Sequence, residues 1–300
     1  MKVLIKGALG FIGLNLISEL KTIPETRIVL QDLSSVEVTN PNIQFISEVS
    51  ELTEPVDALV MLAGISGKMS TQEIIEKNVS LLDQTVSDVS KISSNFKIVF
   101  PSTQLVYEGR ENGSETDDSL DPLNGYARSK LECEKLLQNL SRENGQISYT
   151  IMRITNPFGP HVPRPQNYNY ANQMLYNLYK GEKIELFNKG ETLKNYIPIR
   201  NLSTIMSEAV ESDVFKNQII NVGSSSQVKM KDFFESARRI FENGEVILSE
   251  TNYEETVESI NTEKLYSLLE DKKLQTNEEG IIEFKNFFDR NSNPDFLSFF

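Results

Sequence analysis

The chain has 300 residues, 39% of them hydrophobic, so it can bury a sizeable core as one large α/β domain or two smaller ones. Its formal net charge is −13, from 30 basic and 43 acidic residues, which disfavours nucleic acid and anionic membranes as partners. Cys133 is the only cysteine and His161 the only histidine, which excludes a disulfide framework, a thiolate zinc site and a multi-histidine metal site; we expect no metal.

The first predicted elements are a strand, a glycine turn and a helix. Lys2–Lys6 is a short apolar run, and apolar residues from Phe11 onward recur with helical period. The glycines between them suit a tight turn, close approach of the backbone to a pyrophosphate, and helix–strand packing. Free N–H groups at the start of the helix would bind the phosphates. This predicts a dinucleotide site, the alternative being a βα unit that binds nothing, and its residues are Gly7, Gly10, Phe11, Ile12 and Gly13.

A second strand, Arg27–Gln31, is followed by Asp32. An acidic residue at this distance from the glycines would accept hydrogen bonds from the adenosine ribose. Gln31 is the alternative for the strand-end position, and Asp32 could instead cap a turn. No Lys or Arg lies between Arg27 and Lys68, so NAD is favoured, although NADP stays possible because Ser34 and Ser35 could bind a phosphate.

The next predicted elements are strands Asn42–Ile46 and Val56–Leu62, helix Thr71–Ile92 and strand Lys97–Phe100. Asn78 lies on the apolar face of this helix. A buried amide must be hydrogen-bonded, so Asn78 is either a structural contact or part of a site.

Tyr126 and Lys130 open another helix, Tyr126-Ala127-Arg128-Ser129-Lys130, and their spacing places them on one helix face. A lysine beside a phenol favours the phenolate and lowers the phenol pKa. A phenol with a pKa near neutral can act as a general acid or base. The alternative is an ordinary surface pair.

Five segments in this order carry a family resemblance: GALGFIG (residues 7–13), Val56–Gly64, STQLVY (102–107), YARSK (126–130) and MRITNPFGP (152–160). The chain resembles the extended short-chain dehydrogenases/reductases, in the NAD-dependent epimerase/dehydratase family of nucleotide-sugar enzymes. The resemblance implies an α/β protein: a Rossmann-type doubly wound parallel sheet with a smaller C-terminal substrate-binding lobe. It places residues 1–155 and part of 195–225 in the NAD-binding domain, and 156–194 and 226–300 in the lobe.

The resemblance also assigns roles. Tyr126 would be the catalytic acid/base, Lys130 would lower its pKa and hold the nicotinamide ribose, and Thr103 would be the catalytic hydroxyl. The further cofactor contacts would be Gln31, Asp32, Glu48, Val49, Leu62, Ala63, Gly64 and Asn78, with Glu48 and Val49 at the adenine. The substrate contacts would be Thr103, Gln104, Asn156, Lys194 and Arg200.

The two residues after Thr103 reduce the number of reactions that the family resemblance allows. The 4,6-dehydratases of this family have Asp-Glu there, whereas this chain has Gln104-Leu105, which cannot transfer a proton. We therefore expect an epimerase that oxidises and re-reduces a sugar carbon, C4. The alternatives are a 4-ketoreductase that consumes NAD(P)H and, less favoured because Thr103, Tyr126 and Lys130 are all present, a non-catalytic sensor or scaffold.

In the second half the patterns predict helices Tyr170–Lys180, Leu202–Glu211 (capped by Asn201) and Lys229–Phe241, strands Lys183–Phe187, Asn195–Ile199 and Ile219–Val222, and an amphipathic tail, Asn277–Phe300. For the tail, core packing is the first interpretation and a subunit contact the second.

Two features depart from the family. The family usually has Arg-Asp where this chain has Lys194-Asn195, and a late pyrophosphate-binding Arg that Asn252–Val257 lacks. Lys194, Arg164 or Arg200 could compensate, since an Arg fork and a Lys point charge are not equivalent. The identity of the carrier nucleotide is therefore left undetermined. The substrate is a nucleotide-linked sugar or a compound that is not a standard nucleotide sugar.

The assembly and location are also predicted. Val79 and Leu137 lie off the main apolar faces of the helices Thr71–Ile92 and Tyr126 onward, and relatives pair these helices across a two-fold axis, so we expect a homodimer. The alternative is a monomer in which these apolar positions are scattered surface residues. No apolar run reaches the ~18 residues of a membrane helix. No signal peptide precedes the glycine turn, so we expect a soluble, cytoplasmic protein.

Overall fold

The computed structural model describes residues 1–110, 112–117, 120–162, 169–251, 260–269, 272–295 and 299. The strands are β1 (Lys2–Lys6), β2 (Arg27–Gln31), β3 (Ile43–Ile46), β4 (Ala58–Met61), β5 (Phe96–Thr103), β6 (Ile147–Ile154), β7 (Asn156–Phe158), β8 (Lys183–Leu186), β9 (Leu193–Lys194), β10 (Tyr196–Pro198), β11 (Gln218–Val222), β12 (Val228–Lys229) and β13 (Glu245–Leu248). The helices are α1 (Phe11–Leu20), α2 (Thr71–Ser90), α3 (Gly125–Glu143), α4 (Tyr170–Tyr179), α5 (Ile199–Glu211), α6 (Met230–Phe241), α7 (Glu263–Leu268) and α8 (Asn277–Arg290).

The central sheet has seven strands in the order β11-β6-β5-β4-β1-β2-β3, and every neighbouring pair is parallel. The order reverses at β1, where the chain crosses from the β2 side to the β4 side. This is the topology of a doubly wound Rossmann-type fold, which binds ligands at the carboxyl ends of the strands beside the switch point. The predicted fold class is confirmed.

Helices cover both faces of the sheet. Alternate strand residues such as Val3 and Ile5 pack against α1 and α5 on one face. Leu4 and Val29 point to the other face, where α2 and α3 pack against the sheet and against each other. Burial on both faces explains why the strands are continuous apolar runs rather than alternating ones.

A smaller lobe lies beyond the carboxyl end of the sheet. Its core joins α4, α6 and α8 around a cluster of aromatic rings, in which Tyr196 stacks on Phe233 at a centroid distance of 3.9 Å. The tail helix contributes Ile281, Phe284 and Phe288 to this core, so core packing is what the structure shows for that part of the tail. Phe296 and Phe300 lie outside the described residues. The boundaries of the two lobes stay a prediction, although α7, from the second half, packs with Leu265 against the sheet.

Two details differ from the sequence interpretation. The prediction that Asn201 caps a helix is wrong, because α5 begins at Ile199 and Asn201 lies inside its first turn. The amide of Asn201 instead bonds the backbone of Gln275 in both directions, at 2.9 and 2.8 Å. Leu137 is buried in the sheet core, so it does not lie off the main face of α3 as expected, whereas Val79 is only partly buried.

Within the described part of the chain, none of the helices is both long and apolar enough to cross a membrane.

Candidate active site

The glycine turn between β1 and α1 forms one wall of a cleft of about 490 Å³. Gly7 has φ +82°, and a Cβ there would lie 2.6 Å from the backbone nitrogen of Ala63. A Cβ on Gly13 would lie 2.2 Å from the carbonyl oxygen of Ala8, so larger residues cannot occupy either position without moving the backbone. The predicted cofactor residues that line this cleft are Gly7, Gly10, Phe11, Ile12, Gly13, Leu62 and Tyr126.

Asp32 follows β2 and is tied to the same turn. Its Oδ2 accepts a hydrogen bond from the backbone N–H of Leu9 at 2.9 Å, and its Oδ1 accepts one from Leu33 at 2.8 Å. The carboxylate therefore sits where the glycine turn and the end of β2 meet, which suits the predicted ribose contact. It also acts as a turn cap, so the two interpretations of Asp32 are compatible.

Gln31 does not share this position. It is buried, its Oε1 accepts from Lys6 Nζ at 2.8 Å, and its Nε2 donates to the carbonyl of Ser47 at 2.9 Å. Both ends of the Gln31 amide are thus engaged with the protein below the turn. A cofactor contact by Gln31 stays a prediction, and Asp32 is the better placed of the two residues.

The predicted adenine pair, Glu48 and Val49, begins a short 3-10 turn after β3. Glu48 is exposed and forms a capping box with Glu51, while Val49 is buried in the core beneath the sheet. The Val49 side chain is therefore not available to a ligand, and an adenine contact there would use its backbone.

The side chain of Asn78, on α2, links the loop after β4 to α3 by hydrogen bonds. Its side chain accepts from the N–H of Ile65 at 2.7 Å and donates to the carbonyl of Ile65 and to Ser129 Oγ, both at 2.9 Å. Ser129 in turn donates to the carbonyl of Tyr126 at 2.7 Å. This chain of bonds fixes the loop after β4 against the start of α3, next to Gly64. Asn78 thus positions the site, and its amide is engaged with protein rather than free for a direct cofactor contact.

Tyr126 and Lys130 lie together at the start of α3. Lys130 is buried, its Nζ donates to the carbonyl of Pro101 at 2.8 Å, and it lies 5.7 Å from the centroid of the Tyr126 ring. Burial lowers the pKa of Lys130 to about 8. Burial also raises the pKa of Tyr126, with Cys133 adding to the effect, which is opposite in direction to the lowering expected from Lys130. The physical reason is that the loss of solvation disfavours the charged phenolate.

Thr103 ends β5 and lines a second cavity of about 600 Å³. The predicted substrate residues Gln104, Asn156 and Lys194 line the same cavity. Pro157 and Asn169 belong to the walls of both cavities, so the cleft that holds Tyr126 and the cavity that holds Thr103 adjoin. A ligand in the cleft and a ligand in the cavity would therefore come together at the shared wall formed by Pro157 and Asn169.

Arg200, one of the basic residues predicted for the pyrophosphate, is engaged elsewhere. Arg200 is outside the cavity and forms a two-pronged ion pair with Glu283 of α8, Nη2 to Oε1 at 2.6 Å and Nε to Oε2 at 3.1 Å. In this arrangement Arg200 joins α5 to α8, and its assignment to the substrate stays a prediction. Arg164 and the Asn252–Val257 segment lie outside the described residues. Lys194, on the cavity wall, is the candidate that fits.

A buried polar network beneath the site was missed by sequence reasoning. Glu134 of α3 and Arg153 of β6 form an ion pair at 2.7 Å with 1% and 3% of their side chains exposed. Ser102 also bonds Glu134, and Arg153 Nη1 donates to the hydroxyl of Tyr107 at 2.7 Å. The pair joins the strand ends that carry Thr103 to the helix that carries Lys130. Glu134 follows Lys130 by one helical turn, which is the signal that could have suggested it.

His161 lines the cofactor cleft and is not among the residues that line the substrate cavity. It is surrounded by aromatic rings, with centroids 6.2 Å from Phe11 and 5.5 Å from Phe288. Burial lowers its pKa to about 4, so the imidazole is neutral at physiological pH.

A doubly wound sheet whose glycine turn faces a Tyr–Lys helix across a cleft defines a Rossmann-type nucleotide-binding class. Residues 3–223 match the sequence model of the NAD dependent epimerase/dehydratase family, and the chain belongs to that family. This confirms the resemblance stated from the five segments.

Similar proteins include the ADP-L-glycero-D-manno-heptose-6-epimerase of Brachyspira hyodysenteriae, 22% identical over 81% of this chain and 82% of that protein. Among solved structures, the UDP-N-acetylglucosamine 4-epimerase of Methanobrevibacter ruminantium M1, in complex with UDP-N-acetylmuramic acid, superposes with a TM-score of 0.82 at 21% identity, covering 97% and 98% of the chains. The UDP-glucuronic acid 4-epimerase of Bacillus cereus, in complex with NAD, superposes with a TM-score of 0.77 at 20% identity, covering 97% of each chain.

Proposed function

We propose that this protein is an NAD-dependent nucleotide-sugar epimerase that transiently oxidises and re-reduces a sugar carbon, C4. The observation that carries the proposal is the meeting of the two cavities. The cleft beside the glycine turn contains Tyr126, the adjoining cavity contains Thr103, and Pro157 and Asn169 belong to both. Hydride transfer needs this arrangement, because the sugar carbon and the hydride acceptor must lie side by side next to a proton-transferring group.

The residues present fit NAD. The glycine positions admit no side chain where the backbone must approach a pyrophosphate, and Asp32 lies at the end of β2 for a ribose. When bound, NAD would supply the hydride acceptor and donor. Asp32 also disfavours a 2′-phosphate, which supports NAD over NADP.

The chain's own residues would handle the proton. Tyr126 Oη takes the proton of the C4 hydroxyl during oxidation and returns it during re-reduction, while Thr103 Oγ1 hydrogen-bonds the same sugar oxygen. Lys130 lies at the Tyr126 ring, where it would hold the nicotinamide ribose. Since burial raises the pKa of Tyr126, the oxidation half-reaction, which needs the phenolate, should accelerate as pH rises.

Two residues in the cavity wall help to distinguish epimerisation from the other reactions of the family. Gln104 and Leu105 follow Thr103 on that wall, and neither side chain can move a proton, so water elimination is disfavoured. A 4-ketoreductase remains the second candidate, distinguished by cofactor turnover: an epimerase reuses bound NAD, whereas a reductase consumes added NADPH or NADH. UDP-sugars are the first substrates to test, because the structural neighbours named above are enzymes of UDP-sugars.

The experiment is a screen of nucleotide sugars and nucleotide-linked 4-keto sugars, with and without reduced cofactor, followed by NMR of the products. We expect inversion at C4 with no added NADPH. Stoichiometric NADPH oxidation with a 4-keto sugar, and no epimerisation, would replace the epimerase with the reductase.

The Tyr126→Phe variant tests the assigned acid/base group. It keeps the ring and removes the transferable proton, so turnover should fall by a factor on the order of 10² or more with cofactor binding nearly intact. Tyr149→Phe is the matched control, since Tyr149 is a partly buried phenol on β6 that lines neither cavity. Near-normal turnover in Tyr126→Phe would remove Tyr126 from the mechanism.

A further inference from the structure

Two buried polar atoms in the wall of the substrate cavity have no hydrogen-bond partner among the described residues: Gln104 Oε1 and Thr155 Oγ1. Gln104 is 4% exposed and Thr155 is 7% exposed. Buried polar groups are almost always hydrogen-bonded, so such atoms in a cavity wall indicate groups that a ligand satisfies. Thr26 Oγ1 and Ser203 Oγ are also buried and without a partner, but neither residue lines the cofactor cleft or the substrate cavity.

The sheet explains why the two residues are neighbours. Across the parallel pair β5–β6, Thr103 is in register with Ile154, so the residues that follow them, Gln104 and Thr155, leave the same edge of the sheet together. The N–H of Thr155 is held by the carbonyl of Val222 at 3.0 Å. A Cβ on Gly223 would lie 2.7 Å from Thr155 Cγ2, so the methyl group packs closely against that glycine. The backbone and the methyl group of Thr155 are thus fixed, and its hydroxyl is the group left for a ligand.

The chemistry of the pair defines what it can bind. A carboxamide offers an acceptor and two donors, and a threonine hydroxyl can donate or accept. Neither group is charged. A ligand hydroxyl placed between them could donate to one and accept from the other, whichever way the Gln104 amide is turned. A hydrogen atom in its place would leave both protein groups unsatisfied.

We propose that Gln104 and Thr155 form a subsite for one hydroxyl group of the sugar, on a carbon near the one that reacts at Thr103. The inference rests on the proposed function, because it assumes that the cavity holds a sugar. It deepens that function by defining the substrate class: sugars that keep this hydroxyl are selected over their deoxy analogues. A site built to hydrogen-bond a substrate hydroxyl rejects the analogue that lacks it, because its own buried groups are then left without partners.

The test is a scan of deoxy nucleotide sugars. The parent UDP-hexose is compared with its 2-deoxy, 3-deoxy and 6-deoxy analogues, by calorimetric binding and by kcat/KM for epimerisation. We expect the wild type to lose at least about tenfold at one of these positions. In Gln104→Met and in Thr155→Val, which keep the side-chain size and remove the polar group, the loss at that position should shrink to within about threefold.

Thr26→Val is the matched control. It removes a hydroxyl that is equally buried and equally without a partner, at the amino end of β2, and should leave the deoxy ratios unchanged. Thermal melting shows whether each variant is folded. If a variant does not fold, the scan of deoxy analogues on the wild type still tests the proposal.

The outcomes separate the two proposals. Equal binding of all deoxy analogues by a wild type that epimerises the parent sugar overturns the subsite alone. An unchanged ratio in both folded variants does the same. A wild type that binds no nucleotide sugar overturns the subsite and the proposed function together.

Discussion

The buried ion pair between Glu134 and Arg153 gives a sharp stability prediction. Arg153 Nη2 lies 2.7 Å from Glu134 Oε2, and Nε donates to Oε1 at 3.2 Å, with both side chains almost fully buried. Glu134→Leu would leave the guanidinium buried without its counter-charge, because Tyr107 and the remaining neighbours offer it neutral acceptors. Breaking such a pair from one side costs about 3–5 kcal/mol. At roughly 2 °C per kcal/mol for a chain of this size, the melting temperature should fall by about 6–10 °C.

The same helix offers a matched control. Lys135 and Glu132 pair at 2.7 Å, with 56% and 43% of their side chains exposed. Solvent screens this pair, so Glu132→Leu should cost no more than about 1 kcal/mol. Differential scanning calorimetry of both variants, with urea unfolding as a second measurement, gives the comparison.

A double variant distinguishes lost charge balance from lost packing. Glu134→Leu combined with Arg153→Met replaces both charges by apolar groups and should recover most of the loss. If Glu134→Leu melts within about 2 °C of Glu132→Leu, the assigned burial of the pair is refuted. If the double variant is no more stable than Glu134→Leu, the loss came from packing and not from an uncompensated charge.

Three further predictions concern the cofactor, the pH response and the assembly. Fluorescence titration should show NADH binding more tightly than NADPH, because Asp32 follows β2 and the sequence has no Lys or Arg from Ile28 to Gly67; tighter NADPH binding would contradict this. The pKa of His161 is lowered to about 4, so the unfolded chain binds more protons between about pH 4 and 6.5 and stability should fall as pH drops through that window. Urea unfolding at pH 7 and at pH 4 measures how much the free energy of unfolding falls between these two pH values. This fall should be about 3 kcal/mol smaller in His161→Leu than in the wild type. An equal fall in both proteins would contradict the prediction. Light scattering should give about twice the 34.0 kDa chain mass at micromolar concentration, through α2 and α3, and a monomer mass would refute the dimer.

The sequence by itself determined the elements whose signal is local. Glycine spacing in Gly7–Gly13 requires a tight turn, and the apolar runs before and after it can be satisfied only by a strand and a helix. The fold class follows, since buried parallel strands separated by helices leave few topologies. The Tyr126–Lys130 pair was predicted from its spacing on one helix, and Thr103 from the family resemblance. Tyr126 lines the cofactor cleft and Thr103 the adjoining cavity, while Lys130 lies buried beside the Tyr126 ring.

Only the tertiary structure decided where long polar side chains go and what charge they carry. Gln31 and Arg200 had plausible positions in the sequence, but the nearest partners in space, Lys6 and Glu283, lie 25 and 83 residues away. The Glu134–Arg153 pair likewise joins residues on different elements. Burial, which reverses the expected pKa shift of Tyr126, depends on every segment that packs around the phenol. Local patterns set backbone conformation, whereas solvation and long-range pairing depend on which distant segments meet.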